Sequence, residues 1–393
     1  MNIGLYHPYR STLGGGQRYL GVAAEVLARA HRVELVHHCP DFDPAAVGEA
    51  LELDLGRVGL RYLPRQQRPD CPPGNAAQRF RWERDWGREI SAGYDLFINS
   101  SEAVPLFCHA ARGVLINHFP LVTFEEFHAH TGEAWRQRSW WRRLAGELYH
   151  RFEWNRRFGT YNLCVTNSNY SRAWLRRRWG MDSAVVYPPV RTGLRLLAKE
   201  PLILSVGAFH HEQHKKHEVT LKAFRDLCDA GLSGWRYVMA GACGQDEQDR
   251  SYLAGLRARA EGYPIEVRTN VRGGELKGLL GSSSVLWHSM GYGVDAAKEP
   301  GLMEHFGMVA TEAMAAGCVP VVFNGGGLPE SVIHGETGLL WRTLDQLNEH
   351  TLALVRDDRL RDRLARGAAA RAELFSPRCF EERLLQVLGR ALC

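Results

Sequence analysis

The stretch EHFGMVATEAMAAGCVPVVFNGGGLPE, residues 304–330, decides how this chain is read. Gly307 permits a turn, MVATEAMAA favours helix, Gly317 closes it, and VPVVF resumes as a strand. This spacing predicts the amides near Met308 and Val309 at a helix start beside Glu304, a place suited to an anionic group. Glu312 falls inside the same helix, where an inward carboxylate can accept two hydroxyl hydrogen bonds of the kind a ribose offers. NGGGLPE then predicts a second flexible backbone stretch near a strand end. A single glutamate pair is ordinarily surface charge; the clustering of turn, helix start, carboxylates and glycines is what points to a ligand.

The same alternation of strand, glycine turn and helix runs outward in both directions. NIGLY, VELVHH, YDLFINS, GVLINH, YNLCVTNS and SAVVYPPV are strand candidates in the first half. PLILSVG, WRYVMAGACG, IEVRTN, SVLWHS and VPVVFNG are candidates in the second. Helical patterns lie between most of them, as in Tyr19, Val22, Ala23, Val26 and Leu27, which implies βαβ units and parallel sheets. Two adjacent prolines in VYPPV interrupt regular structure and place a domain junction near 188–200. The expected organisation is α/β with two doubly wound, Rossmann-like domains, 1–190 and 191–375. A final helix, 376–393, has Ser376 as N-cap, Pro377 at its first position and an apolar stripe of Phe380, Leu384, Val387 and Leu388. Ligands are expected at the carboxyl ends of the strands.

With 45% hydrophobic and 24% charged residues in 393, the composition is that of a globular protein of about two domains. The nine cysteines follow no paired spacing and form no CxxC, so neither a disulfide scaffold nor a structural zinc site is expected. The opening MNIGLYHPYR lacks the pattern of a signal peptide, and no apolar run of about 18 residues occurs. A reducing, cytoplasmic setting is the expectation. Residues 1–200 carry a net charge of +7 and residues 201–393 carry −2. The basic half suits an anionic partner. Much of that charge lies in AWRQRSWWRRLAGELYHRFEWNRRF, with seven arginines, two glutamates and four tryptophans. This segment, 135–158, is either a solvated helix packed by its tryptophans or an amphipathic helix on anionic lipid. No nucleic-acid module is visible, so nucleic acid is not an expected partner.

A second glycine cluster, Gly14, Gly15 and Gly16, follows a strand and opens a helix, where backbone amides can approach a phosphate. The spacing is neither GxGxxG nor GxxxxGK[ST], which excludes the dinucleotide fingerprint and the P-loop.

Taken together these motifs resemble the retaining glycosyltransferases of family 4 (GT4), which have the GT-B fold of two Rossmann-like domains facing a cleft. The resemblance spans nearly the whole chain. Its E-x7-E signature is Glu304 and Glu312, its glycine-rich segment is GGGLPESVIHGETGLLW, and GGGQR resembles its GGxER with Gln17 in place of Glu. INHFP, TNSNYSRAWL and VVYPPV resemble bacterial mannosyltransferase-like members and eukaryotic enzymes that extend lipid-linked oligosaccharides. The resemblance implies that Glu312 holds the nucleotide ribose and Glu304 the donor-sugar hydroxyls. The amides that follow, at Phe306, Gly307, Met308 and Val309, would contact the donor beside them. Lys215, with Lys216 as the alternative, would neutralise the diphosphate. Gly15 and Gly16 would approach the phosphates, and His118 would lie near the reacting sugar. Catalytic roles are thus expected for His118, Lys215 and Glu304. No metal or other cofactor is expected.

The implied activity is retaining transfer of a hexose, mannose from GDP-mannose foremost, to a glycan or lipid-linked glycan, at the cytoplasmic face of a membrane. A UDP-sugar donor, a non-catalytic nucleotide-sugar-binding protein and a sugar-nucleotide epimerase are the alternatives. One departure is Ala208, which stands where the family has arginine; Arg272, His211 or Lys216 would have to compensate. Another is the long segment WHSMGYGVDAAKEPGLMEHFG, where His288 and Asp295 read as exposed loop residues or as pocket lining.

Overall fold

The computed structural model describes residues 1–7, 14–64, 76–101, 105–121, 148, 151–192, 197–212, 214–244, 246–271 and 273–392. They form two compact units, Met1–Tyr187 with Phe380–Cys393, and Pro188–Cys379.

The first unit contains β1 (Asn2–Tyr6), α1 (Gly15–Ala28), β2 (Arg32–His37), α2 (Pro44–Leu51), β3 (Val58–Tyr62), α3 (Ala76–Ser91), β4 (Leu96–Ser100), β5 (Arg112–Asn117), β6 (Leu163–Thr166), α4 (Asn169–Trp179) and β7 (Ala184–Val185). Its seven strands are ordered β3-β2-β1-β4-β5-β6-β7, and every pairing is parallel. The central strands are continuous apolar runs because helices cover both faces. On one face α1 buries Tyr19, Leu20, Ala23 and Leu27 against Ile3, Leu5, Val33, Leu35 and Ile98. On the other, Tyr6, Phe97 and Leu115 meet Ile90, Trp154, Phe158 and Trp179. Helix α4 starts where Ser168 Oγ accepts the Ser171 amide at 3.0 Å and stops at Gly180, in the left-handed region at φ 67°.

The second unit contains β8 (Glu200–Val206), α5 (His217–Asp229), β9 (Arg236–Gly241), α6 (Glu247–Ala260), β10 (Ile265–Thr269), α7 (Gly273–Ser282), β11 (Ser283–His288), α8 (Met308–Ala315), β12 (Val319–Phe323), α9 (Leu328–Ser331), β13 (Leu339–Trp341), α10 (Leu344–Arg356) and α11 (Asp358–Ala372). Its six strands are ordered β10-β9-β8-β11-β12-β13, again all parallel. Trp287 and Trp341 anchor one face with Phe224 and Tyr237; Leu204, Leu286, Ala310 and Met314 fill the other.

The last helix, α12 (Pro377–Leu392), belongs to the core of the first unit. Its stripe of Phe380, Leu384, Val387 and Leu388 packs on α1, with the Phe380 and Tyr19 rings 4.9 Å apart. Arg29 and Glu381 pair at 2.8 Å outside that contact.

Two strands, β3 and β13, are absent from the sequence reading. Both are sheet edges; VGLRY carries a glycine and an arginine, and LLW is too short to show a period. Among the described residues no helix is long and apolar enough to cross a membrane. Of the basic segment 135–158, Leu148 and residues 151–158 are described. There Trp154 is buried on Phe158 and Trp179, and Arg157 is buried between Glu83 and Glu153. Leu148 and Phe152 face outward, with the Arg156 guanidinium over the Phe152 ring.

Candidate functional site

In the second unit β8 leads to β9 on one side and β11 leads to β12 on the other, so the chain's direction switches between β8 and β11. A crevice at the carboxyl ends of such a pair is where doubly wound sheets bind ligands.

The two ends are built by glycine and by a strained lysine. Gly207 follows β8, and a Cβ there would lie 2.8 Å from Cγ of Lys215. The lysine stem therefore lies directly over the strand end. Lys216 adopts φ 53°, ψ 42°, the left-handed region that a non-glycine residue rarely takes. Ser289 Oγ, just past β11, donates to the carbonyl of Lys215 at 2.9 Å and to that of Lys216 at 3.3 Å. Lys215 Nζ so positioned donates to Glu304 Oε2 at 2.8 Å. His288, the last residue of β11, reaches the same oxygen from Nε2 at 3.0 Å.

Glu304 is held from behind by the glycine triplet. The Gly327 amide donates to the Glu304 carbonyl at 2.7 Å. A Cβ on Gly326 would lie 2.1 Å from that carbonyl, and one on Gly327 would lie 2.1 Å from the His305 carbonyl. The segment expected to be flexible is instead a close backbone-on-backbone contact that only glycine permits. Burial pushes the Glu304 carboxyl up, but the Lys215 ammonium and the His288 hydrogen bond overcome this and hold it well below the usual range. Glu304 is thus an ionised acceptor with 18% of its side chain exposed.

Helix α8 begins directly after this loop, with Gly307 as N-cap at φ 93°. The amides at its start, Met308 and Val309 among them, have no partner four residues back and carry the positive end of the helix dipole. Glu312 lies in the second turn and is 9% exposed. Phe306 is expected to meet the donor through its amide. Its ring is buried on Phe375 at 5.3 Å, so only its main chain is left to meet a ligand.

His288 is a correction to the sequence reading. It is no exposed loop residue but a strand-end imidazole, 6% exposed, bonded to Glu304. The signal in the sequence was its place immediately after the apolar run SVLW. Asp295 does lie exposed, accepting the Ala297 amide at 3.0 Å.

Around Ala208, the Ala208 carbonyl faces Nε2 of His217 at 3.2 Å, and burial lowers the His217 pKa to about 4. His211 is taken up by Asp249: its amide and Nδ1 lie 2.7 and 2.8 Å from Oδ1, and His210 Nδ1 lies 3.0 Å from Oδ2. Burial raises the Asp249 pKa, but these hydrogen bonds bring it down to about 2. Asp246 completes, with His211 and Asp249, the only group of three potential metal-ligating residues found among the described residues, with ligand atoms within 4.8 Å of one another. Its own Oδ1 accepts the Asp249 amide, so the group reads as an anchor for the loop. Arg272 lies outside the described residues.

In the first unit, Gly14 caps α1 and its amide bonds Gln17 Oε1 at 2.9 Å. A Cβ on Gly16 would lie 3.4 Å from the His118 imidazole and 3.7 Å from Nε2 of His7. The absence of a side chain there lets two histidines approach the helix start. His118 is 6% exposed. Ser171 Oγ donates to its carbonyl at 2.5 Å, and Tyr19 packs edge-on to its ring at 5.0 Å. The structure thus brings Lys215, His288 and Glu304 together beside α8 in one unit, and Gly16 with His118 in the other.

Two parallel Rossmann-like units, the second with a lysine–carboxylate pair at its switch point, are the architecture of the GT-B class of folds. The family model for Glycosyltransferase Family 4 matches residues 13–194, and that for Glycosyl transferases group 1 matches residues 191–371. The chain belongs to the GT4-type glycosyltransferases. It is 29% identical over 201 residues to "GDP-Man:Man(3)GlcNAc(2)-PP-Dol alpha-1,2-mannosyltransferase" of Dictyostelium discoideum, covering 46% of this chain and 37% of the relative. To the Mus musculus protein of that name it is 27% identical, covering 59% of this chain and 49% of the relative. The chain spans about half the length, or less, of these curated relatives. Its fold is similar to that of sucrose-phosphate synthase from Thermosynechococcus elongatus, with TM-score 0.67 and 19% identity over 100% of this chain and 98% of that one.

Proposed function

We propose that this chain is a retaining glycosyltransferase that moves a hexosyl group from a nucleotide-diphosphate sugar to a glycan or lipid-linked glycan. The single observation that carries the reading is the Lys215–Glu304 pair, 2.8 Å apart, at the strand ends between β8 and β11 and beside the start of α8. Glu312 takes the ribose hydroxyls, and the α8 amides and Glu304 take the donor sugar. Lys215 neutralises the diphosphate as the bond from the anomeric carbon to the phosphate oxygen breaks. The acceptor oxygen attacks from the same face and its proton passes to the departing phosphate. Positioning and leaving-group stabilisation supply the rate enhancement, with the lysine and helix starts in place of a metal. Gly15, Gly16 and His118 serve the first unit's side of the reaction.

Mannose from GDP-mannose is the favoured donor, because the two curated relatives carry GDP-Man in their names. Their lipid-linked acceptor also favours a cytoplasmic membrane face, reached through the basic segment 135–158. Thermal stabilisation by GDP against UDP tests the donor base, and release of free mannose or transfer to a lipid-linked oligosaccharide tests the chemistry. Stabilisation by UDP alone would replace the GDP assignment. Ala208, in place of a pyrophosphate-binding arginine, favours one second reading, a non-catalytic nucleotide-sugar binder. Tight GDP-mannose binding with neither hydrolysis nor transfer would establish it. Co-sedimentation with anionic vesicles at low salt tests the membrane contact; failure removes it.

A further inference from the structure

Both hydrogen bonds that Glu304 accepts at its carboxylate converge on one oxygen, Oε2: from Lys215 Nζ at 2.8 Å and from His288 Nε2 at 3.0 Å. Among the described residues the other oxygen, Oε1, has no partner. An ionised carboxylate only accepts, so His288 Nε2 must carry the hydrogen. The other ring nitrogen, Nδ1, is buried with no partner among the described residues. His288 therefore meets Glu304 as a donor from Nε2, with Nδ1 turned to the packed side of the ring.

This arrangement matters when a diphosphate arrives. The Lys215 ammonium is engaged by Glu304. A diphosphate carries more negative charge than one carboxylate and competes for the same ammonium. Once Lys215 turns to it, Glu304 keeps a single anchor. We propose that His288 is a positioning residue for donor recognition, holding Glu304 by Oε2 so that Oε1 stays presented to the sugar hydroxyls after Lys215 has moved to the diphosphate. The assignment rests on the transferase reading for its consequence. Its geometric content, an imidazole donating from Nε2, stands separately.

Two measurements test it. Long-range nitrogen–proton correlation spectra of histidine-labelled, donor-free protein should show the hydrogen of His288 on Nε2. An Nδ1–H tautomer, with Nε2 bare, would overturn the assignment, whatever the activity. The second measurement compares His288→Leu with His288→Gln, whose side-chain amide can donate from about the same place. For His288→Leu the KM for GDP-mannose should rise about tenfold or more, the size of one lost hydrogen bond to a charged group. The Kd for GDP should stay within about twofold, because base and ribose do not touch this carboxylate. His288→Gln should recover most of the loss. Wild-type kinetics in His288→Leu would sink the proposal. So would equal losses in both variants that track a fall in Tm, since that is a merely structural role. If wild-type protein neither binds nor turns over GDP-mannose, the donor reading fails, while the tautomer still decides the His288–Glu304 contact.

Discussion

Lys215 lies over Gly207 because nothing projects from that glycine. In Gly207→Ala the new Cβ would meet the lysine stem, with Cγ at 2.8 Å and Cδ at 3.2 Å. The ammonium must then leave Glu304, and donor kcat/KM should fall at least about tenfold, or ~1.4 kcal/mol. The fold should change little, because a flexible side chain gives way rather than a backbone. Unchanged kinetics with unchanged Tm would show that the lysine position does not matter. His217 and His305 set a second expectation. Burial lowers both to about 4 from the ordinary value of 6.5. The unfolded chain therefore binds protons that the folded one refuses as pH drops from about 6.5 to about 4. Their contribution to stability is full above that window and is lost on descending through it. Tm should fall over this range, and His217→Gln should flatten the slope; a Tm independent of pH there would contradict the burial.

At the scale of elements, the loop that presents Glu304 is set by what packs behind it. Gly326 and Gly327 press main chain on main chain, a Cβ on Gly325 would meet the Met303 and Phe323 side chains, and Gly326 also requires φ 61°. Gly326→Ala would place its Cβ 2.1 Å from the Glu304 carbonyl, with a backbone on both sides and no side chain to yield. Overpacking of this kind costs about 1–3 kcal/mol, and left-handed strain adds roughly 1–2 kcal/mol. Both a lower Tm and a weaker GDP-mannose affinity are expected, in contrast to Gly207→Ala. Retained stability would mean that the loop moves freely. The Lys215 turn has a comparable support in Ser289, whose hydroxyl reaches two successive carbonyls of that turn.

At the scale of the whole molecule, each unit has its own sheet and its own core. The first is completed by the chain's last helix, whose Phe380, Leu384, Val387 and Leu388 are each no more than 3% exposed. Ending the chain at Cys379 would uncover α1, at roughly 1.5–3 kcal/mol for each of these four side chains. Calorimetry of that truncation should show the first unit's transition lowered or lost, with the second unit's transition retained. GDP should still raise the retained transition by mass action. Loss of both transitions together would refute independent cores.

The sequence alone determined the alternation of strand and helix, the parallel α/β class and the motif Glu304-x7-Glu312, because burial on two faces and glycine turns leave local marks. Lys215 is singled out by its match to the family lysine, not by any local mark of this kind. Edge strands such as LLW leave no such mark, and neither does the use made of a residue by distant neighbours. Only the tertiary structure decided that His288 is buried on Glu304 rather than exposed. Only it decided that NGGG is a packing contact rather than a flexible loop, that His211 is engaged by Asp249, and that Phe306 turns into the core. Each depends on atoms that meet through space after the sheet has formed, between residues up to 89 positions apart in the Lys215–Glu304 pair. Local propensity carries no information about such meetings; the parallel sheet creates them by bringing the carboxyl ends of β8 and β11 side by side.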